Sequence, residues 1–115
     1  MNNTLKFALD NLTGMVNFYS AMAYPGSPLY LDAKKNNVSL PYKYVGYSQH
    51  AYETLNMANE NLTAAEILRF RDYAWNKYNT DSRYLNFLEN KFGIEARNNL
   101  ESATKIKLKR KLLGD

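Results

Sequence analysis

Tyr24, Pro25, Gly26 and Ser27 are residues of this chain that could line a ligand site. Read from the sequence, they close an apolar strand and open a helix, and α/β folds build their ligand sites at that kind of junction. Gly26 allows close backbone approach, and a helix beginning at Pro28 offers unpaired N–H groups. A plain turn with a helix cap is the bland alternative. The other chemically able groups are fewer. His50 is the only histidine and there is no cysteine, so a metal site on this chain has little to work with and no metal ligand is assigned. Asp72 could move a proton, but with Arg69 and Arg71 beside it an Arg–Asp pair that fixes a helix is the better expectation. Tyr42, Tyr44, Tyr47 and Tyr52 could close over a substrate or simply cover a protein surface with amphipathic rings. No catalytic residue is assigned.

Several elements must position these groups. Leu5, Ala8, Leu9 and Leu12 repeat at helical spacing, with Asn3 or Thr4 as cap and Gly14 as stop. Met15 to Tyr24 is apolar or aromatic on both faces, which predicts a strand covered on both sides. Ser27 at an N-cap and Pro28 at the first helical position start a short helix that Asn36-Asn37 ends. Residues 38–61 show no sustained period and read as an ordered loop or short helical turns. Thr63 and Glu66 spell a capping box before a helix with Ile67, Phe70, Ala74, Trp75 and Tyr78 inward. Thr80 or Asp81 starts the next helix, which turns Tyr84, Leu85, Leu88 and Phe92 inward and stops at Gly93. A last helix from about Ile94 carries Leu100, Ala103, Ile106 and Leu113.

The expected fold is therefore α+β and mostly α. Residues 1–36 would be a helix–strand–helix piece, 37–62 a tyrosine-rich loop and 63–115 a three-helix extension. A single strand leaves backbone groups unpaired at about 1–3 kcal/mol each. Roughly four or five of them would consume most of the ~5–15 kcal/mol that holds a domain together. The strand is thus expected to need a partner outside this chain.

Composition limits the classes. With 115 residues, 45% apolar and 23% charged, the chain is one domain or part of one rather than disordered. Ten tyrosines suit half-wet positions. No apolar run approaches the ~20 residues of a membrane span, and the N-terminus has no basic-then-apolar leader, so a cytoplasmic location is expected. Four Asn-x-Ser/Thr triplets, at Asn2, Asn11, Asn37 and Asn61, read as coincidence in so asparagine-rich a chain. The net charge of +4 gathers in Lys105, Lys107, Lys109, Arg110 and Lys111. The apolar residues between them favour a docked helix with a solvated basic face over a nucleic-acid or membrane contact.

An ordered set of pieces resembles one family. Ala23-Tyr24-Pro25-Gly26-Ser27-Pro28-Leu29-Tyr30 looks like the Pro-Gly-Ser/Thr element after a late barrel strand in radical S-adenosylmethionine (radical SAM) enzymes. Leu40-Pro41, Gly46-Tyr47-Ser48-Gln49, Phe70-Arg71-Asp72-Tyr73-Ala74, Tyr84-Leu85, Lys91-Phe92-Gly93 and Lys109-Arg110-Lys111-Leu112-Leu113 resemble the C-terminal extension of its cobalamin-binding branch. The likeness spans nearly the whole chain. It departs at Asn56–Glu60, where a proline-containing segment is expected, and at Tyr44, near an expected tryptophan. It implies the last piece of a partial (β/α) barrel, whose full-length parent would use S-adenosylmethionine, a [4Fe-4S] cluster and cobalamin for radical methylation or a related C–H functionalisation. The chain holds neither the cluster cysteines nor the cobalamin domain. If Met1 is a true start, it is a truncated relative that lacks radical activity. By the same resemblance Ala23, Tyr24, Pro25, Gly26 and Ser27 would lie near S-adenosylmethionine or substrate, and the missing barrel would be the partner. The rival expectation is a small helical adaptor that binds a protein or nucleic acid through its basic C-terminal helix.

Overall fold

The computed structural model describes all residues from Met1 to Asp115. It contains α1 (Asn2–Asp10), α2 (Pro28–Lys35), α3 (Ala64–Asn79), α4 (Ser82–Phe92) and α5 (Ile94–Thr104). Two short 3-10 turns, Tyr44–Tyr47 and Lys111–Leu113, complete the regular structure. There is no strand and no sheet, so the protein is all-helical and the expected α+β barrel piece is corrected.

The reason lies in how the segment Met15–Tyr24 satisfies its backbone. Side chains take the place of a neighbouring strand. Arg71 Nε donates to the Phe18 carbonyl at 2.9 Å, and Met57 N donates to the Ala21 carbonyl at 3.0 Å; just ahead of the segment the Tyr78 hydroxyl donates to the Gly14 carbonyl at 3.2 Å. Gln49 pairs with both backbone groups of Ser20: its Oε1 accepts from Ser20 N at 3.2 Å, and its Nε2 donates to Ser20 O at 2.9 Å. A carboxamide presents one donor and one acceptor side by side, as a peptide group does. The segment was also expected to be covered on both faces. Instead Val16, Phe18 and Ser20 turn inward while Met15 is 89% exposed and Tyr19 62%. Side-chain alternation is present without a ladder.

The chain divides into two compact units. The first comprises Met1–Phe18 and Phe70–Lys107. Its core gathers Leu5 of α1, Ala74 and Tyr78 of α3, and Tyr84 and Leu88 of α4. Leu9, Leu12, Val16, Phe18, Phe70 and Leu100 pack around them. The Tyr78 and Tyr84 rings lie 4.4 Å apart, and Phe18 meets Tyr78 edge-on at 6.1 Å. Burial raises both tyrosine pKa values above the ordinary range. A single residue, Gly93, joins α4 to α5; its φ of 89° is the left-handed region that glycine enters without strain. α5 ends at Thr104, not near Leu113 as the apolar pattern suggested, and Phe92 is exposed rather than inward. Beyond Lys105 the apolar residues change from helical spacing to alternation.

The second unit comprises Tyr19–Arg69 and Leu108–Asp115. Its only α-helix lying wholly inside is α2, so the rest depends on loops tied by side chains. Gly46 is buried because a Cβ there would lie 2.6 Å from Pro41 Cβ. The C-terminal stretch threads beside residues 49–54. Lys111 N donates to Tyr52 O at 2.9 Å, and the Tyr52 hydroxyl donates to Asp115 O at 3.1 Å.

The starts of α2, α3 and α4 follow the sequence. α1 does not: Met1 rather than Asn3 or Thr4 stands at its N-cap, with no side-chain bond, and it closes at Asn11 rather than Gly14. Ser27 Oγ accepts from Tyr30 N, and Thr63 and Glu66 form the reciprocal capping box. Asp81 caps α4 through Arg83 N. The Asp81 carboxyl is held below the ordinary range chiefly by its hydrogen bond from the Arg83 side chain. Glu66 is lowered first by the Thr63 backbone N–H and then by its hydroxyl. Groups lowered on folding stabilise the fold above their unfolded pKa of about 4 and lose that effect as pH falls through the folded value. The thermal midpoint should therefore hold between pH 7 and 5 and decline below about pH 4. Asp81→Asn, which still caps but has no charge to lose, should decline less steeply. Thermal unfolding followed by circular dichroism across this range checks both statements.

Candidate functional site

The five residues singled out by sequence form one turn in the second unit. Ala23 is 2% exposed and anchors it, while Tyr24 is 48% exposed at its rim. Ser27 N donates to Tyr24 O at 3.0 Å, closing the turn over Pro25 and Gly26. Gly26 has φ of 89°, and a Cβ there would meet nothing within 4 Å. Glycine is needed for the backbone angle, and the space above it is open to an approaching molecule.

The expected row of unpaired N–H groups is largely used up. Pro28 has none, Tyr30 N donates to Ser27 Oγ and O, and Leu31 N donates to Ser27 O. Within this first turn only the Leu29 N–H is outside these bonds. The rim is aromatic instead. Tyr24 lies 6.2 Å from Tyr47, centroid to centroid, and Tyr47 lies 6.4 Å from Tyr44. Burial, then the nearby Tyr30 and Tyr44, raise the Tyr47 pKa, so its hydroxyl stays protonated at neutral pH.

The other sequence candidates are placed apart from this turn. The His50 ring meets Tyr19 edge-on at 6.4 Å. Arg71 is buried and donates to Asp72 Oδ1 at 2.8 Å as well as to Phe18 O, which gives it the fixing role expected for the pair. No three His, Cys, Asp or Glu residues come together as a metal site. With no cysteine, this chain offers no thiolate to ligate a [4Fe-4S] cluster. A cleft of about 590 Å³ opens between Pro41, Leu55 and Leu112, with Lys43, Glu53 and Lys111 at its edge. None of residues 23–27 lines it.

Two residues that organise this unit carry a role that the sequence reading did not give them. Gln49 is 7% exposed and holds Ser20 through three hydrogen bonds, including one from Ser20 Oγ at 3.0 Å. Arg110, expected on a solvated basic face, is fully buried. Its Nη1 donates to Ala51 O at 3.0 Å and Thr54 Oγ1 at 3.2 Å, and its Nη2 donates to Gln49 O at 3.0 Å. The signal for Arg110 was available: Leu108, Arg110 and Leu112 share one side of a non-helical run. The basic end is therefore not the helix expected there; Lys105, Lys107, Lys109 and Lys111 are exposed on an irregular run and the short turn after it.

Asn56 is the one discordant buried group. It is 2% exposed, its Nδ2 donates to Met57 O at 3.3 Å, and its Oδ1 has no partner. Replacing Asn56 by leucine, which keeps the branched shape, removes a desolvated acceptor but adds volume and takes the Nδ2 donor from Met57 O. Gain and cost are each about 1–3 kcal/mol, so the urea midpoint should move little, at constant slope.

Comparison with family models, curated proteins and solved structures finds no match to this chain. No helix is long and apolar enough to cross a membrane.

Proposed function

We propose that the chain acts as the C-terminal segment of a cobalamin-type radical SAM enzyme. In this reading it is a non-catalytic extension that packs on the catalytic body and turns Tyr24–Ser27 toward the ligand entrance. The resemblance is the origin of the reading. One structural observation supports it: residues that carry the likeness are those on which the second unit depends. Gly46 has no room for a Cβ, Gln49 clamps Ser20, and Arg110 ties the 49–54 loop.

The parent's group transfer would depend on S-adenosylmethionine, a cluster and cobalamin held elsewhere. This chain would contribute the buried Ala23 anchor, the open space above Gly26 and the aromatic rim. Two measurements test the reading. The coding sequence upstream of Met1 should continue in frame through a three-cysteine motif. In the complete enzyme, added S-adenosylmethionine should slow amide exchange at residues 24–30. An upstream frame without the cysteines, or exchange unaffected by the ligand, would remove its support. The nucleic-acid alternative predicts oligonucleotide binding that weakens with salt, through the four exposed lysines.

A further inference from the structure

We infer that Arg110 is a positioning residue for the Tyr24–Ser27 turn, acting through Gln49. Only its functional meaning rests on the proposed ligand-facing role of that turn. The geometry is a chain of four steps within the second unit. The Arg110 guanidinium spans three oxygens of the 49–54 loop: Gln49 O, Ala51 O and Thr54 Oγ1. Thr54 Oγ1 in turn donates to Ala51 O at 2.7 Å, so the loop closes around the cation. With its main chain fixed, Gln49 presents its carboxamide to Ser20 N, Oγ and O. Met57 N adds a bond to Ala21 O at 3.0 Å, and Met22 and Ala23 are buried directly before the turn.

Each step needs the chemistry of the residue present. The loop carbonyls have no helix or sheet partner, and a buried guanidinium supplies five donors in a planar fork. Lysine keeps the charge but offers one compact ammonium that cannot reach all three oxygens. Ser20 needs a donor and an acceptor together, which among side chains a carboxamide provides. The segment after Ser20 has no other regular structure to hold it. Loosening Arg110 should therefore be felt at Ser20 even though no Arg110 hydrogen bond reaches it.

Amide hydrogen exchange on the whole chain tests this. Arg110→Lys should speed exchange at Ser20 and Met57 by about tenfold, the equivalent of one net hydrogen bond. Leu88 in α4 should be unaffected. In a Gln49→Leu background, Ser20 should already exchange faster, and adding Arg110→Lys should change it by less than about twofold. That loss of additivity distinguishes positioning through Gln49 from a general stabilising role. The inference is overturned if Arg110→Lys loosens Thr54 and Leu55 but leaves Ser20 unchanged. Full additivity of the two substitutions at Ser20 also overturns it. If Arg110→Lys does not fold, Thr54→Val is read at the same amide; about threefold faster exchange supports the relay, and no change overturns it. Failure of S-adenosylmethionine to protect residues 24–30 would leave these results untouched, so the two ideas fail separately.

Discussion

Tyr78→Ala should unfold the first unit or bring it close to unfolding. Tyr78 is fully buried, and its ring meets Phe18 and Tyr84 while its hydroxyl holds the Gly14 carbonyl. Large-to-small substitution of a buried aromatic costs about 3–5 kcal/mol through lost transfer energy and the remaining cavity. Against a total stability of about 5–15 kcal/mol, that is a large fraction. Tyr78→Phe separates the two contributions. It keeps the ring and leaves Gly14 O without its donor, so about 1 kcal/mol should be lost. Urea unfolding followed by tyrosine and tryptophan fluorescence reads both. A loss below about 1 kcal/mol for Tyr78→Ala would contradict the packing described.

Arg110→Ala is expected to be nearly as damaging in the second unit, for a different reason. The alanine removes the donor that the Gln49 carbonyl has, and one of the donors to Ala51 O and Thr54 Oγ1; Ala51 O keeps Thr54 N and Oγ1. A buried acceptor left unpaired costs about 1–3 kcal/mol, reduced where water can enter the space left behind. With the cavity left by a fully buried side chain added, a total of about 3–5 kcal/mol follows. Lys109→Ala is the natural control: the neighbouring residue is exposed, and its loss should change stability by less than about 0.5 kcal/mol. Limited proteolysis should then cut Arg110→Ala first within residues 46–55. Equal stability of the two variants would show that the buried arginine is unimportant to the fold.

The helices were legible where capping chemistry fixed them. Ser27-Pro28, the Thr63–Glu66 pair and Asp81 each start a helix as their types require. Gly93 ends α4 for the same kind of local reason. The strand reading of Met15–Tyr24 failed because composition cannot tell who satisfies a backbone. Its side chains alternate as a strand's would, yet the side chains that pair with its backbone are Gln49 and Arg71, 29 and 53 residues away. The tail was misread for a related reason. Counted as charge, Lys105–Lys111 is one basic stretch, but Arg110 is separated from its neighbours by parity and turned into the interior. The candidate turn itself was legible as a turn, with its cap and its glycine. Its aromatic rim depends on Tyr44 and Tyr47, placed by a 3-10 turn that no sequence period announced.

The self-capped start of α2 has a consequence for what could be selected there. Ser27 and Pro28 leave a single first-turn N–H outside the capping bonds, too few to cradle a phosphate group, which typically draws on several such donors. Discrimination would pass from charge neutralisation to ring faces. What the turn offers beside its open glycine is the faces and edges of tyrosine rings, not charge.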